Sequence, residues 1–90
     1  MMKITASVII PNWNGRSLLQ DCLNSLKEQT FKNFEIILVD NASTDSSMEF
    51  VIKNFPEVKI IKLLKNFGFA KAINEGVKAS NSKYVVFLNN

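Results

Sequence analysis

Four short apolar stretches alternate along the chain with three segments in which apolar residues recur at helical spacing. The apolar stretches predict strands at residues 4–10, 35–39, 58–63 and 84–88. The periodic segments predict helices at residues 16–29, 46–54 and 69–79. Because a helix separates each strand from the next, the alternation predicts an α/β fold with a parallel sheet and right-handed crossovers.

The strands differ in how far their apolar character extends. The second is continuously apolar, as expected for a parallel strand covered on both faces, and the third alternates partly, as an edge strand does. The fourth is again almost wholly apolar but is expected to be an edge with one uncovered apolar face. A doubly wound sheet of this kind has the strand order 3-2-1-4, and ligands bind where the winding reverses. That order would bring loop 11–15 beside Asn89 and Asn90, with Asp40 on the flank.

Local signals refine the predicted elements. Pro11 is expected to end the first strand. Ser17 with Gln20 could form a capping box at the start of the first helix, or the helix could begin nearer Gly15. In the third helix, Ala70, Ile73 and Val77 are expected to face inward. Gly76 lies inside that helix at a cost of about 1 kcal/mol relative to alanine, which indicates close packing on the sheet.

The amino-acid composition argues against several classes of protein. The 90 residues are sufficient for one small domain, and an apolar share of 47% argues against disorder. The net charge of +3 comes from scattered lysines, so the chain lacks the clustered basic face that nucleic-acid binding requires. The absence of histidine excludes histidine-based catalysis, and the lone Cys22 is expected to be a small buried hydrophobe. No apolar run approaches a membrane span of ~20 residues or a secretory signal. We therefore expect a cytoplasmic location.

The loops at the carboxyl ends of the strands contain neither a dinucleotide-binding glycine motif nor a P-loop. Asn12, Trp13 and Asn14 instead offer amides and an aromatic ring, which suit hydrogen bonding and stacking to a base or sugar; simple packing is the alternative for Trp13. Asp40 could accept a hydrogen bond from a ribose hydroxyl or a base N–H, or it could cap the following loop. For Ser43 and Asp45 we expect capping.

The loop before the third helix carries further candidates. Asn66 could cap that helix or reach a ligand. Gly68 permits a positive φ or a close approach of the backbone. Lys71, in the first helical turn, could point at an anionic ligand or remain a solvated surface lysine.

Five stretches, at residues 7–14, 23–30, 34–45, 66–76 and 84–90, resemble in order and spacing a family 2 glycosyltransferase of the GT-A fold. The resemblance covers nearly the whole chain and implies the Rossmann-like, nucleotide-binding half of such a domain. The Asn-x-Gly-Phe-Ala form at residues 66–70 and the Leu-Asn-Asn form at residues 88–90 are most similar to the rhamnosyltransferase-type subgroup, which builds bacterial or archaeal surface polysaccharides.

The resemblance also implies roles for individual residues. Asp40 matches an aspartate that contacts the base of the sugar donor, and Asn89 with Asn90 matches the start of the metal motif, whose essential aspartate would follow Asn90. The expected nucleotide-binding residues are Pro11, Asn12, Trp13, Asn14, Asp40, Asn41, Asn66, Lys71, Asn89 and Asn90. We expect no catalytic residue in this chain, and no Mg²⁺ or Mn²⁺ bound by it, although the full-length enzyme would use that ion.

Residues 1–90 are thus expected to be the N-terminal nucleotide-sugar-binding part of a GT-A domain, truncated before the metal aspartate and inactive alone. The parent enzyme would transfer a sugar from a UDP- or dTDP-sugar, with inversion, to a saccharide or lipid-linked acceptor in cell-surface polysaccharide synthesis. Any peripheral membrane association would depend on residues outside this chain. The alternative is a non-catalytic α/β module that binds nucleotide or self-associates through the open edge of the fourth strand.

Overall fold

The computed structural model describes residues 4–30 and 32–89. In these residues strands and helices alternate as β1 (Ala6–Asn12), α1 (Arg16–Lys27), β2 (Phe34–Asp40), α2 (Ser47–Asn54), β3 (Lys59–Lys62), α3 (Phe69–Ala79) and β4 (Tyr84–Phe87). The strands form one parallel sheet in the order β3-β2-β1-β4. The predicted α/β fold and strand order are therefore confirmed.

Two apolar clusters lie on opposite faces of this sheet. On one face, β1 and β2 pack against α1 and α2 through a cluster that includes Ile10, Leu23 and Val51. On the other face, Ile9 and Ile37 belong to a smaller cluster with α3. Coverage on both sides explains why the central strands are apolar at nearly every position. Cys22 is half-buried against the larger cluster, and burial raises the pKa of its thiol.

The strand β1 continues past Pro11 to Asn12, so the expectation that the proline would end it was wrong. The main-chain oxygen of Ile9 accepts a bond from the β4 side, and that of Asn12 accepts one from the β2 side. Alternate residues of a parallel strand bond to opposite neighbouring strands, so the main chain of Pro11, like that of Ile9, faces β4. The pairing of β1 with β4 ends at Ile9 and Phe87, so Pro11 lies beyond it. The proline therefore removes no bond from the sheet, and β1 carries Asn12 to the sheet's end.

Two helix details also differ from the sequence-based expectation. The first helix begins after Gly15 with no side-chain cap, so the predicted Ser17–Gln20 capping box is wrong. In α3, Ala70 and Val77 are exposed, and the buried residues are Ala72, Ile73 and Gly76. The buried stripe is shifted because Gly76, which has no side chain, allows this face of the helix to lie against β1 and β2.

The strand β4 lies at one edge of the described sheet and leaves Tyr84, Val86 and Phe87 exposed. No helix among the described residues is long and apolar enough to cross a membrane.

A polar cluster joins the amino-terminal ends of the strands to the turn before β4. The buried Ser7 donates a hydrogen bond of 2.5 Å to Glu35, and its hydroxyl lies 2.7 Å from that of Ser82. The Lys59 ammonium lies 3.2 Å from the other oxygen of Glu35. Burial alone would raise the pKa of Glu35, but the hydrogen bond from Ser7 and the ion pair with Lys59 outweigh it and lower that pKa.

This cluster predicts a pH-dependent contribution to stability. Because the pKa of Glu35 is lower in the folded than in the unfolded chain, its contribution is fully present above the unfolded value of about 4.3. It is lost as the pH falls through the folded pKa. We expect Glu35→Gln to lower the free energy of unfolding by about 1–2 kcal/mol at pH 7 and by much less at pH 3. Urea unfolding of both proteins across this range measures the difference.

The matched control for this prediction is Glu49→Gln, which changes an exposed glutamate in the first turn of α2. At pH 7 that substitution should change the free energy of unfolding, relative to the unsubstituted protein, much less than Glu35→Gln does. A difference between the unsubstituted protein and Glu35→Gln that stays constant from pH 7 to pH 3 would contradict the prediction.

Candidate functional site

A cleft of about 280 Å³ opens beyond the carboxyl ends of the central strands, next to the start of α3. It is lined by Pro11, Asn12, Trp13, Asn41, Asn66, Gly68, Phe69 and Asn89. The sheet order explains this convergence, because β1 is flanked by β2 and β4 and the winding reverses there. The structure thus brings most of the sequence-predicted site residues around one cavity, and adds Phe69, which the sequence reasoning missed.

Among the described residues, Asn14, Asp40 and Lys71 were also predicted to belong to the site but do not line the cleft. The main-chain N–H of Asn14 donates to the Ser43 hydroxyl, and its side-chain oxygen accepts from the N–H of Thr44. Lys71 lies along α3, where its ammonium is 3.2 Å from a Glu75 carboxylate oxygen. The Lys71 side chain is 48% exposed, so it lies on the helix surface. Asn90 lies outside the described residues.

Asp40 occupies the end of β2 and is only 3% exposed. One carboxylate oxygen accepts hydrogen bonds from the Asn12 amide at 3.0 Å and the Ser43 hydroxyl at 2.6 Å. The other accepts from the Ser43 main-chain N–H at 3.0 Å. The carboxylate therefore fixes its own loop, as the capping alternative expected, and it also orients Asn12, which lines the cleft.

Ser43 connects the two loops that follow β1 and β2. Besides donating to Asp40, its hydroxyl accepts from the Asn12 amide at 3.2 Å and from the main-chain N–H of Asn14 at 2.9 Å. The expectation that Ser43 would cap the second helix was wrong, because its hydroxyl bonds to Asp40, Asn12 and Asn14, none of which lies in α2. The spacing of Asp40 and Ser43 was the local signal for this role, because a side-chain oxygen can accept from a main-chain N–H three residues further along the chain.

Asp45 satisfies main-chain donors at the start of two helices, so its predicted capping role is confirmed. Its carboxylate accepts from the Arg16 N–H of α1 at 3.0 Å and from the Ser47 N–H of α2 at 3.0 Å, and the Ser47 hydroxyl also donates to it. Burial raises the pKa of Asp45, but the hydrogen bonds from Ser47 and Arg16 outweigh it, so the net shift is downward. The carboxylate holds the loops before α1 and α2 together.

Asn41 fixes the third side of the cleft. Its buried side chain donates to the carbonyl of Gly68 and accepts from the N–H of Phe67, both at 3.3 Å. Asn66 accepts from the N–H of Gly68 at 2.8 Å, in a turn before the helix, while Gly68 itself is the N-cap residue. The φ of +89° at Gly68 confirms the expected positive φ. The start of α3 is therefore held to the end of β2.

The cleft combines amide side chains, which both donate and accept hydrogen bonds, with two exposed rings, those of Trp13 and Phe69. Amides can read the polar edge of a heterocycle or the hydroxyls of a sugar, and rings can cover an apolar face. The arrangement suits a ligand that is planar on one face and polar at its edge.

This fold defines an α/β domain with a cleft at the switch point of its sheet, the place where ligands bind in sheets of this kind. The sequence model named Glycosyl transferase family 2 matches residues 7–90. The chain therefore belongs to glycosyltransferase family 2.

Similar proteins of known name or structure agree with this assignment. The chain is 36% identical to the poly(ribitol-phosphate) beta-glucosyltransferase of Bacillus spizizenii, over 98% of this chain and 14% of that protein. The crystal structure of S. aureus TarS 1-349 in complex with UDP-GlcNAc superposes with a TM-score of 0.86 at 32% identity, covering 94% of this chain and 26% of that one.

A mannosyltransferase, PcManGT from Pyrobaculum calidifontis in complex with GDP-Man and Mn²⁺, superposes with a TM-score of 0.85 at 25% identity, covering 93% of this chain and 26% of that one. The chain spans at most a quarter of the length of the first curated relatives that it matches. The α/β fold of this chain is therefore the fold of the corresponding part of GT-A enzymes.

The presence of Mn²⁺ in a related structure raises the question of a metal site here. In residues 4–30 and 32–89 no three carboxylate, thiol or imidazole side chains come together in a way that could hold a metal ion. The cleft itself is lined by neutral amides and rings, whereas Mg²⁺ and Mn²⁺ prefer carboxylate oxygens. The described residues do not fit a metal ion.

Proposed function

We propose that residues 1–90 are the nucleotide-sugar-binding part of a GT-A glycosyltransferase domain and that the cleft receives the nucleoside of the donor. The observation that carries this proposal is the convergence of Asn12, Trp13, Asn41, Asn66 and Asn89 on one cleft at the switch point of the sheet. The related structure that contains UDP-GlcNAc supports the choice of a uridine nucleotide.

The proposal assigns a role in nucleotide binding to individual residues of the site. The exposed amides of Asn66 and Asn89 present donors and acceptors to the polar edge of the nucleoside. The buried amides of Asn12 and Asn41, which bond within the protein, hold the loops that line the cleft. Trp13, which is 57% exposed, covers an apolar face of the ligand. Asp40 keeps Asn12 in place and offers a carboxylate close to the base. Asn14 supports the first loop, and Lys71 and Asn90 remain proposed contacts to the donor.

The parent enzyme would transfer a sugar, with inversion, from a UDP- or dTDP-sugar to a saccharide or lipid-linked acceptor during synthesis of a cell-surface polymer. The resemblance to a poly(ribitol-phosphate) glucosyltransferase supports the polymer class, and the motif forms at residues 66–70 and 88–90 favour a rhamnosyltransferase-type enzyme. We assign the catalytic base, the acceptor site and the Mg²⁺- or Mn²⁺-binding aspartate to residues beyond this chain. The chain alone should bind donor nucleotide without turning it over.

The test uses the fluorescence of Trp13, which is the single tryptophan. Titration with UDP should give a saturable change, AMP should give a much weaker one, and Mn²⁺ should alter the UDP curve little because the described residues do not fit a metal ion. Equilibrium dialysis with labelled UDP provides a second readout that does not depend on the indole. Absence of UDP and dTDP binding by both methods would contradict the proposal.

The exposed side chains of β4 favour one alternative, a module that self-associates through this edge of the sheet. Light scattering across a range of protein concentrations distinguishes the two. A mass that stays at one chain at high concentration would contradict self-association and leave the nucleotide-binding proposal intact.

A further inference from the structure

We infer that Phe69 forms a second aromatic wall of the cleft and that the base of the donor stacks on its ring. This inference rests on the proposed function, because it assumes that a nucleoside occupies the cleft. Phe69 is the first residue of α3, lines the cleft and is 55% exposed. With Trp13 it gives the cleft two large exposed rings among polar amides.

The backbone around Phe69 is held in place before any ligand arrives. Gly68 has a φ of +89°, which a residue with a side chain would adopt only with strain. Asn41 bonds to the carbonyl of Gly68 and to the N–H of Phe67, so the residues just before Phe69 are tied to the end of β2. A ring carried on a fixed backbone loses little conformational freedom when a ligand binds, which favours affinity.

The neighbouring aromatic residue has a different environment. Phe67 is 43% exposed and does not line the cleft. The ammonium groups of Lys65 and Lys71 lie 5.2 Å and 6.0 Å from its ring centroid. Two phenylalanines on the same short segment thus differ in one respect that matters here, since only Phe69 faces the cavity. Phe67 is therefore a matched control for the loss of an exposed ring.

The chemistry of stacking gives this inference a distinctive signature. Any base has an apolar face that can lie on a ring, whereas its identity is read at the polar edge. Removing the Phe69 ring should therefore raise the dissociation constants of uridine and UDP by the same factor, because both ligands carry the same base. If the ring instead contacted the phosphates, its loss would weaken the binding of UDP much more than that of uridine, and if it contacted the transferred sugar, which UDP lacks, neither ligand would be affected.

The experiment measures the dissociation constants of uridine and UDP by calorimetry for the unsubstituted chain, Phe69→Leu, Phe69→Tyr and Phe67→Leu. We expect Phe69→Leu to weaken both ligands about fivefold or more, as the loss of one stacking contact predicts. Phe69→Tyr, which keeps the ring, and Phe67→Leu should stay within about twofold. The urea midpoint should be similar in all variants, since both positions are exposed.

Three results would overturn the inference. These are a Phe69→Leu variant that binds both ligands as the unsubstituted chain does, a Phe67→Leu variant with an equal loss, and a loss confined to UDP. Failure of the unsubstituted chain to bind either uridine or UDP would instead contradict the proposed function itself. The two failures are therefore distinguishable within one set of titrations.

Discussion

Replacing Asp40 with asparagine should destabilise the domain by about 2–4 kcal/mol and weaken UDP binding at least tenfold. The carboxylate is 3% exposed and accepts three hydrogen bonds, one from Asn12 and two from Ser43. Hydrogen bonds to a charged group contribute about 1.5–3 kcal/mol each. Asparagine replaces one of the two carboxylate oxygens with an NH₂ group, which cannot accept a hydrogen bond. At least one of the buried donors of Asn12 and Ser43 therefore loses its acceptor.

Binding should fall with stability because Asp40 organises the cleft. Its bond to the Asn12 amide orients a residue that lines the cavity, and its bonds to Ser43 hold the loop that also fixes Asn14. When these bonds are lost, the two loops can separate and the ligand must pay the entropy of ordering them. Calorimetry with UDP and urea unfolding measure the two effects on the same samples.

Ser43→Ala separates the supporting role of Asp40 from a direct contact with the base. This substitution removes the hydroxyl that links the two loops but leaves the carboxylate in place. If Asp40 also accepts a bond from the base, Asp40→Asn should weaken UDP binding clearly more than Ser43→Ala. Equal losses would assign Asp40 a supporting role alone.

The control for the charge change is Asp21→Asn, which alters an exposed aspartate on α1. It should change neither the free energy of unfolding nor UDP affinity by a measurable amount, because an exposed carboxylate in water contributes little. An Asp40→Asn variant as stable as Asp21→Asn would contradict the hydrogen-bonded geometry found here.

The fold was predictable from the sequence because its signals are local and repeat. Each buried strand is a continuous apolar run, each helix has its own apolar stripe, and the strict alternation leaves a parallel sheet as the simplest arrangement. The third helix was predicted with the bounds that the structure has, Phe69–Ala79. The errors lie at the start of α1, on the buried face of α3 and at the end of β1. At Pro11 the tolerance of a proline depends on which neighbouring strand pairs with that side of β1, which the local sequence does not encode.

The detailed arrangement of the site was not predictable in the same way, because bonds between distant residues determine it. Asn14, Ala42 and Ser46 all have positive φ values. Asparagine has a local tendency toward that region, but alanine and serine rarely adopt it. Hydrogen bonds of Ser43 and Asp45 across some 30 residues of sequence fix the two loops that contain these residues. The amide side chains of the cleft could be chosen from the sequence by their residue type. Phe69 could not, because only the structure shows that the start of α3 lies beside the end of β1.

Gly76→Val should strongly destabilise the domain, lowering the free energy of unfolding by about 3 kcal/mol or more. A Cβ at this position would lie 2.4 Å from Cγ2 of Ile9 and 3.2 Å from Cγ2 of Val39. Both neighbours are fully buried central-strand residues, so neither methyl group can move without disturbing the sheet. Overpacking a core costs about 1–3 kcal/mol and sometimes more, a large share of the stability of a small domain.

Ala70→Val provides the matched control, because it introduces the same side chain at an exposed position of the same helix. It should cost only the lower helix propensity of valine, about 0.5 kcal/mol. Gly76→Ala tests the contact more finely, since alanine favours the helix by about 1 kcal/mol yet its methyl group meets Ile9. In a double-mutant cycle, Ile9→Ala should therefore recover part of the Gly76→Ala loss. If Gly76→Val unfolds at the same urea concentration as Ala70→Val, the close approach of α3 to β1 is wrong, and with it the reason why the buried stripe of that helix centres on Ala72 and Gly76.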